Sequence, residues 1–214
     1  MDNARPTLVI NRRKYNLSFT AAPLRPDLAR VMAESYLAVG DWDRAKKVVL
    51  SSNALQCRSA SSAVRLEREL RQRLGKLTDA QVTLLAHATT DDRAAMAWLA
   101  AVKHISFVFE FAADLLREKL AVHDPVLRNS DYEIYFDGKS VSHPELLQLA
   151  DSSKSKIQQV LLRMLGEAGL LVPGAVLGTI RRPILSPAVV RAITSDDSRW
   201  LAAFLVPDSE IGRL

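Results

Sequence analysis

The chain has 214 residues and a mass of 23.7 kDa, with 48% apolar residues, 25% charged residues, 8 glycines and 9 prolines. This composition excludes a disordered, collagenous or low-complexity chain and suits one generous domain or two small ones. The formal net charge is +5. The single cysteine, Cys57, excludes an internal disulfide framework and indicates a reducing compartment. The polar stretch Met1–Asn16 lacks the apolar core of a secretory signal. We therefore expect a cytoplasmic protein.

Helix signals dominate the first half of the chain. The proline pair Pro23 and Pro26 precedes the first predicted helix, which Gly40 ends. Asp41 and Thr78 can cap the second and fourth helices, because their side chains accept hydrogen bonds from free amides of a first turn. The predicted helices run over Asp27–Val39, Trp42–Ser51, Ser61–Leu74, Thr78–Ala88, Thr90–His104 and Ile105–Leu120.

The most apolar long stretch, Ala94–Leu116, tests the membrane alternative. It carries Lys103, His104, Glu110 and Asp114. A spanning helix needs about 20 largely uncharged residues, and each such ion costs roughly 2.5–3.5 kcal/mol at the bilayer centre. We expect this segment in a protein core and no membrane partner.

The second half contains a different mixture of signals. Val126–Lys139 is predicted to be irregular and to join two halves. Strand signals occur only near Val9–Ile10, Glu133–Phe136 and Val176–Ile180. The later predicted elements are a short helix (Pro144–Ala150), a turn and cap (Asp151–Ser153), a long helix (Lys154–Ala168), a loop or short hairpin (Leu170–Pro187) and a last helix from near Pro187.

The predicted fold class is all-α. We expect a compact multi-helix globule with two helix-turn-helix or winged-helix-like motifs and at most a short β hairpin near the C-terminus. The predicted organisation is a basic extension (1–17), an N-terminal helical domain with the first motif (18–125) and a C-terminal winged-helix-like domain (126–214).

Charge is distributed unevenly along the chain. Residues 1–76 carry a net +8, residues 77–137 a net −5, and residues 138–214 a net +2. Clustered like charges repel one another unless a partner uses them, so the first segment favours an anionic partner over ordinary surface solvation. Nucleic acid is the commonest such partner, and an anionic membrane surface is the next.

The third predicted helix combines an apolar stripe with a basic face. Its apolar residues recur at spacings of three and four, from Ala63 to Leu74. A short helix, a turn and a basic amphipathic helix are typical of a helix-turn-helix, whose second helix lies in the major groove. The candidate DNA contacts are Arg58, Ser61, Arg65, Arg68, Gln72 and Lys76.

A solvated helix with internal ion pairs is the alternative for this segment. Glu67 and Arg71, and likewise Glu69 and Arg73, stand four residues apart. Such pairs would still leave the cations among the candidate contacts free.

A second basic motif is predicted in the C-terminal half. The long helix has a core face from Ile157 to Leu165, and the loop that follows it occupies the place of a winged helix's phosphate-contacting wing. Winged-helix folds also dock proteins, so this motif alone leaves both functions open. The candidate DNA contacts are Lys154, Lys156, Gln159 and Arg163 on the helix and Arg181 and Arg182 in the loop.

No catalytic, metal or cofactor site is predicted. The four histidines share no metal-ligand spacing, and Cys57 stands alone. The chain contains neither a G-x-x-x-x-G-K-S/T nor a G-x-G-x-x-G motif, so NTPase and dinucleotide functions have no support. We expect a protein that is not an enzyme.

Several motifs resemble one family. They are S-F-T-A-A-P-L (Ser18–Leu24), Y-L-A-V-G-D-W-D (Tyr36–Asp43), N-A-L-Q-C-R-S (Asn53–Ser59), H-P-E-L (His143–Leu146) and Q-Q-V-L-L-R-M-L-G-E-A-G-L-L (Gln158–Leu171). In order and spacing they are similar to the BrxA family of bacteriophage exclusion (BREX) defence systems, over roughly Asn16–Ile193.

This resemblance implies a compact, all-α, monomeric protein that binds double-stranded DNA without cutting it. It places Arg58, Arg65 and Arg68 in the first motif, and Lys156, Gln159 and Arg163 in the second. It also implies other BREX proteins, a methyltransferase and ATPases, as neighbours. The extension Met1–Tyr15 is longer than the family pattern.

Three functional hypotheses follow. The first is a non-catalytic duplex-DNA-binding accessory protein of phage defence with little sequence preference. The second is a helical scaffold whose acidic middle docks larger BREX subunits. The third is a single-stranded RNA-binding protein, which the separation of cations from aromatic residues disfavours.

Overall fold

The computed structural model describes residues 14–174 and 176–213, and within them the all-α prediction is confirmed. The predicted strand near Val9–Ile10 lies outside the described residues. The α-helices are Pro26–Val39 (α1), Trp42–Ser51 (α2), Ala60–Leu74 (α3), Asp79–His87 (α4), Thr90–His104 (α5), Ser106–Glu110 (α6), Arg117–Ala121 (α7), Asn129–Ser142 (α8), Asp151–Glu167 (α9), Pro187–Thr194 (α10) and Asp208–Ile211 (α11). Shorter 3-10 segments cover Ser18–Ala21, Pro144–Leu146 and Ser198–Phe204, and a π-helical turn covers Phe111–Leu116.

Capping residues fix the starts of the N-terminal helices as the sequence predicts. The Asp41 carboxylate accepts a hydrogen bond from the Arg44 amide at 2.8 Å, at the start of α2. Thr78 and Gln81 form a reciprocal capping box at the start of α4. Gly40, in the left-handed conformation, ends α1.

Helix α5 lies at the centre of the molecule. Its residues from 95 to 102 are all buried, and Trp98 is completely inaccessible to solvent. The Trp98 indole donates a hydrogen bond to the Ala203 carbonyl at 3.0 Å. Helices α1, α3 and α4 and the C-terminal segment Ser198–Phe204 all pack against α5, so residues from both ends of the sequence share one core.

A small antiparallel sheet of order β1-β3-β2 lies in the C-terminal half. Its strands are Val126–Leu127 (β1), Leu171–Val172 (β2) and Gly178–Ile180 (β3). Thr179 pairs with Val126 on one side and with Val172 on the other. A Cβ atom at residue 178, whose φ is +149°, would lie 2.7 Å from the Val172 carbonyl oxygen, so only glycine fits there.

The structure corrects the sequence prediction between residues 126 and 153. The segment predicted as an irregular junction forms helix α8, on which Tyr132, Phe136 and Ser140 repeat every four residues and are buried. The aromatic residues that suggested a strand at Glu133–Phe136 pack instead around Phe107 and Phe111.

Two neighbouring boundaries also differ from the prediction. The short helix expected over Pro144–Ala150 is a 3-10 turn over Pro144–Leu146. Helix α9 begins at Asp151, so the predicted turn and cap, Asp151–Ser153, form its first turn. The proposed domain boundary at residues 125 and 126 remains a prediction.

Among the described residues, no helix is both long enough and apolar enough to cross a membrane.

Candidate nucleic-acid interface

Helix α3 presents the basic face that the sequence predicts. The hydroxyl of Ser59 accepts a hydrogen bond from the Ser62 amide at 3.2 Å and caps the helix. The connection from α2 spans residues 52–59, which is longer than the three- or four-residue turn of a helix-turn-helix. The motif is therefore better described as two packed helices joined by a structured loop.

The buried face of α3 contains ions as well as apolar residues. The Arg73 side chain is 2% exposed and donates two hydrogen bonds to the Glu69 carboxylate, at 2.6 and 2.9 Å. It also donates to the carbonyl oxygens of Pro23 and Ala22, at 2.8 and 2.7 Å. Burial lowers the pKa of Arg73, and the Glu69 carboxylate opposes that shift. Arg73 thus holds the segment formed by residues 15–25, here called the strap, against α3.

Both predicted intrahelical ion pairs form, but on the inner side of α3. Arg71 lies 2.6 Å from the Glu67 carboxylate, whose side chain is 1% exposed. One carboxylate oxygen of Glu67 is buried and has no hydrogen-bond partner among the described residues. Neither pair involves a cation on the outer face of the helix.

The outer face of α3 carries cations that no carboxylate neutralises. All six predicted contacts on this helix and at its two ends are exposed. None of the four cations among them makes an ion pair with a residue in the described part of the chain. The exposed contacts are Arg58, Ser61, Arg65, Arg68, Gln72 and Lys76.

Helix α9 has the predicted core face but a weaker basic face. The apolar residues on its inner side are buried as expected: Ile157, Val160, Leu161, Met164 and Leu165. Lys154 lies 3.9 Å from Asp151, and Arg163 lies 3.5 Å from Glu167. The Lys156 ammonium donates to the Gln159 amide oxygen at 3.1 Å. Each predicted cation of this helix therefore already has a partner on the same helix.

The placement of Arg181 and Arg182 in a wing loop is wrong. The connection between β2 and β3 lies between Val172 and Gly178, whereas both arginines follow β3 at the other end of the hairpin. Arg182 makes a two-point contact with the Glu210 carboxylate of α11, which raises the pKa of Arg182. The described part of the hairpin turn contains no cation.

The strap brings the two basic helices together. Its 3-10 turn packs against both α3 and α9, and the Arg25 amide donates to the Glu167 carboxylate of α9 at 3.1 Å. One cleft, of about 440 Å³, lies between the strap and the first turn of α9, and another, of about 340 Å³, lies between the strap and the first turn of α3. Neither cleft is lined by a carboxylate.

Two of the polar residues that the strap contributes to these clefts, Thr20 and Arg25, were missed by sequence reasoning. Arg25 directly precedes α1, and nothing in its local pattern indicates that it faces the start of α3. The only available signal was its position directly after the motif Ser18–Leu24.

The remaining titratable groups do not assemble a metal site. In residues 14–174 and 176–213, no group of three or more His, Cys, Asp or Glu side chains is placed to hold a metal ion. Burial, followed by the charges of Lys76 and Arg73, lowers the pKa of His104.

The fold and the site together define a small all-helical protein that displays two basic helices on either side of one N-terminal strap. The sequence model of the BrxA family matches residues 13–197, so the chain belongs to the BrxA family. This confirms the resemblance that the motifs suggest.

Relatives from two bacteria are similar over most of their length. "BREX protein BrxA" of Escherichia coli O9:H4 (strain HS) is 25% identical over 163 residues, which are 76% of each chain. "BREX protein BrxA" of Bacillus cereus (strain H3081.97) is 26% identical over 148 residues, 69% of this chain and 74% of the relative. A crystal structure of an uncharacterized protein from Magnetospirillum magneticum shares the fold, with a TM-score of 0.78 and 17% identity over 90% of this chain and 98% of that chain.

Proposed function

We propose that this protein is a non-catalytic, monomeric, cytoplasmic accessory protein of a BREX phage-defence system that binds double-stranded DNA. One observation carries the proposal: the exposed cations on α3 and at its two ends have no carboxylate partner in the described residues. They are Arg65 and Arg68 on the helix, Arg58 before it and Lys76 after it. Arginine and lysine side chains that are left free on one helix face are suited to phosphate contacts.

The second basic helix supports the same proposal at lower charge density. Strand β1, helices α8 and α9 and the hairpin β2–β3 follow one another in the element order of a winged helix, in which α9 would be the recognition helix. Because α3 and α9 both pack on the strap, one duplex contacting both helices is a natural arrangement.

A duplex is a better partner than single-stranded RNA for this surface. Single-strand modules stack bases on exposed aromatic side chains. Here Trp98, Phe107 and Phe111 are fully buried and belong to the core. We infer phosphate contacts with little sequence preference.

A salt-dependent titration of duplex DNA tests the proposal. Neutralising about six phosphates gives a log–log salt slope near −5. Arg65→Ala/Arg68→Ala should weaken binding equally on unrelated sequences and flatten this slope by about two units. The matched control, Arg191→Ala/Arg213→Ala, removes two exposed arginines outside both clusters and should leave the slope unchanged. An affinity that hardly changes with salt would contradict the proposal.

A helical scaffold that docks larger BREX subunits, such as the methyltransferase or an ATPase, is the second candidate. It is favoured by the outer face of α8, where Ile134 is 72% and Val141 is 87% exposed. Two large apolar side chains one heptad apart on a helix suit a protein partner.

Pairwise binding to the purified methyltransferase and ATPases of the same BREX system tests the scaffold. The scaffold predicts a nuclease-resistant complex that Ile134→Ser/Val141→Ser abolishes and Arg65→Ala/Arg68→Ala does not. If the isolated chain binds DNA, and Ile134→Ser/Val141→Ser binds it equally well, the result would favour the DNA-binding function over the scaffold.

A further inference from the structure

Two arginines and no carboxylate line the cleft between the strap and α3. Arg25 and Arg65 both line it, and neither side chain makes an ion pair or hydrogen bond with a described residue. By contrast, the cleft that contains Arg117 also contains Asp208, which accepts its hydrogen bond at 2.5 Å. Two unpaired guanidinium groups on one small cleft repel each other unless an anion binds between them.

The floor of this cleft is apolar. Leu55 is 3% exposed, and Leu28 and Leu66 are half-buried beside it. A bare inorganic anion gains nothing from contact with leucine side chains. A flat organic group that packs on them is stabilised, because apolar surface is removed from water. The volume of about 340 Å³ lies in the range of small-molecule sites.

The rim of the cleft supplies polar groups with unused hydrogen-bonding capacity. The exposed Gln56 side chain has no partner among the residues that the structure describes, and its amide can both donate to and accept from one base edge. Ser62, in the first turn of α3, adds a hydroxyl. Glu167, whose carboxylate accepts a hydrogen bond from the Arg25 amide, does not line the cleft.

We propose that this cleft binds a single nucleotide, with Arg25 and Arg65 on its phosphate and the leucine floor under its base. The nucleotide is either free or the 5′-phosphorylated terminal nucleotide of a duplex, since both present the same chemistry. This deepens the proposed DNA-binding function, and it adds Arg25 and Gln56, which the basic-helix pattern does not include, to the binding surface.

The only cysteine of the chain provides a local reporter. Cys57 is half-buried, unpaired and part of the cleft wall. A bound nucleotide should shield its thiol from a neutral reagent such as N-ethylmaleimide, and this readout does not depend on binding along the outer face of α3.

The experiment measures the rate of Cys57 alkylation in the presence of deoxyadenosine 5′-monophosphate, deoxyadenosine or inorganic phosphate. At about ten times its Kd, the nucleotide should slow alkylation about tenfold, because only the free protein reacts. Deoxyadenosine and phosphate should protect far less. Arg25→Ala and Arg65→Ala should each raise the Kd for the nucleotide about tenfold or more, since each loses a charge-assisted hydrogen bond.

The matched control is Arg44→Ala, which removes an exposed cation of α2 outside the cleft. It should leave protection unchanged. Absence of protection by the nucleotide, equal protection by phosphate alone, or equal protection of the wild type and Arg25→Ala would each overturn the proposal.

Two duplexes distinguish the sources of the nucleotide. One is blunt with 5′-phosphates, and the other has the same sequence closed at both ends by hairpin loops. At equal bound fraction, stronger protection by the open duplex assigns the site to DNA ends, whereas equal protection assigns it to a free nucleotide. If the closed duplex binds with a steep salt slope and the nucleotide gives no protection, the cleft proposal fails and duplex binding stands.

Discussion

Helices α3 and α9 pack on the same strap, and each exposes cations, yet their charges are arranged differently. The buried side of α3 contains the Arg73–Glu69 and Arg71–Glu67 pairs, and its outer cations have no acid within reach. On α9 the buried side is apolar, and the outer cations Lys154 and Arg163 lie beside Asp151 and Glu167.

This contrast concerns where the carboxylates lie. Each helix carries both signs of charge, but α3 directs its acids inward and leaves a net positive outer face. Acids exposed next to the cations, as on α9, cancel the field that a phosphate would feel. A count of basic residues alone therefore overestimates the positive charge that α9 presents to DNA and underestimates that of α3.

Breaking the inner anchor of α3 should have the largest effect. Arg73→Met leaves the buried Glu69 carboxylate and the Pro23 and Ala22 carbonyls without their donor. Losing one partner of a buried ion pair costs about 3–5 kcal/mol, which should appear as a lower free energy of unfolding in urea. Arg68→Met on the outer face serves as the control and should change little. Equal stability of the two variants would show that the strap does not depend on Arg73.

Comparison of the two outer faces sharpens the contrast directly. Lys154→Ala/Arg163→Ala on α9 removes as much charge as Arg65→Ala/Arg68→Ala on α3, and both α9 cations lie beside an acid. We expect a reduction in the salt slope of about two units for the α3 variant and a smaller one for the α9 variant, because the α9 cations are already partly neutralised. An equal or larger loss from the α9 variant would make the second helix the principal site.

The pH dependence of stability reports on the positive charge around α3. Burial and the cations Lys76 and Arg73 lower the pKa of His104 below 6.5, its ordinary value. The unfolded chain then binds more protons than the folded one as pH falls through 6.5, so acid should destabilise the wild type more than His104→Gln.

The same histidine tests the contribution of one cation. In Lys76→Ala, the pKa of His104 measured by NMR titration should rise toward 6.5, because a nearby positive charge has been removed. An unchanged pKa would leave burial and the charge of Arg73 as the causes of the shift.

The smallest effect on DNA binding is expected at Arg182. Its guanidinium is engaged by Glu210 in a pair that is partly exposed to solvent. Arg182→Ala should leave the salt slope of DNA binding unchanged within error, whereas Arg65→Ala should reduce it measurably. A reduction in Arg182→Ala equal to that in Arg65→Ala would restore this residue to the DNA-binding surface.

Local sequence signals were sufficient for much of the helical framework. Helix caps act through hydrogen bonds with backbone groups of the first or last turn. The helix boundaries predicted from Asp41, Thr78 and Gly40 are therefore found in the structure. The outward position of Arg65 and Arg68 followed from helical periodicity for the same reason. Helix α8 was missed because its aromatic residues have strand propensity, and only their packing around Phe107 and Phe111 favours a helix.

The sequence by itself determined an all-α protein with a basic N-terminal third, the register of α3 and the family to which its motifs belong. The tertiary structure alone decided that Arg73 is buried, that Arg182 contacts Glu210 and that Arg25 and Arg65 line the same cleft. These pairs are separated by tens of residues along the chain or depend on how the strap packs. Periodicity within one helix identifies which side chains share a face, but the element that covers that face is set by packing in three dimensions.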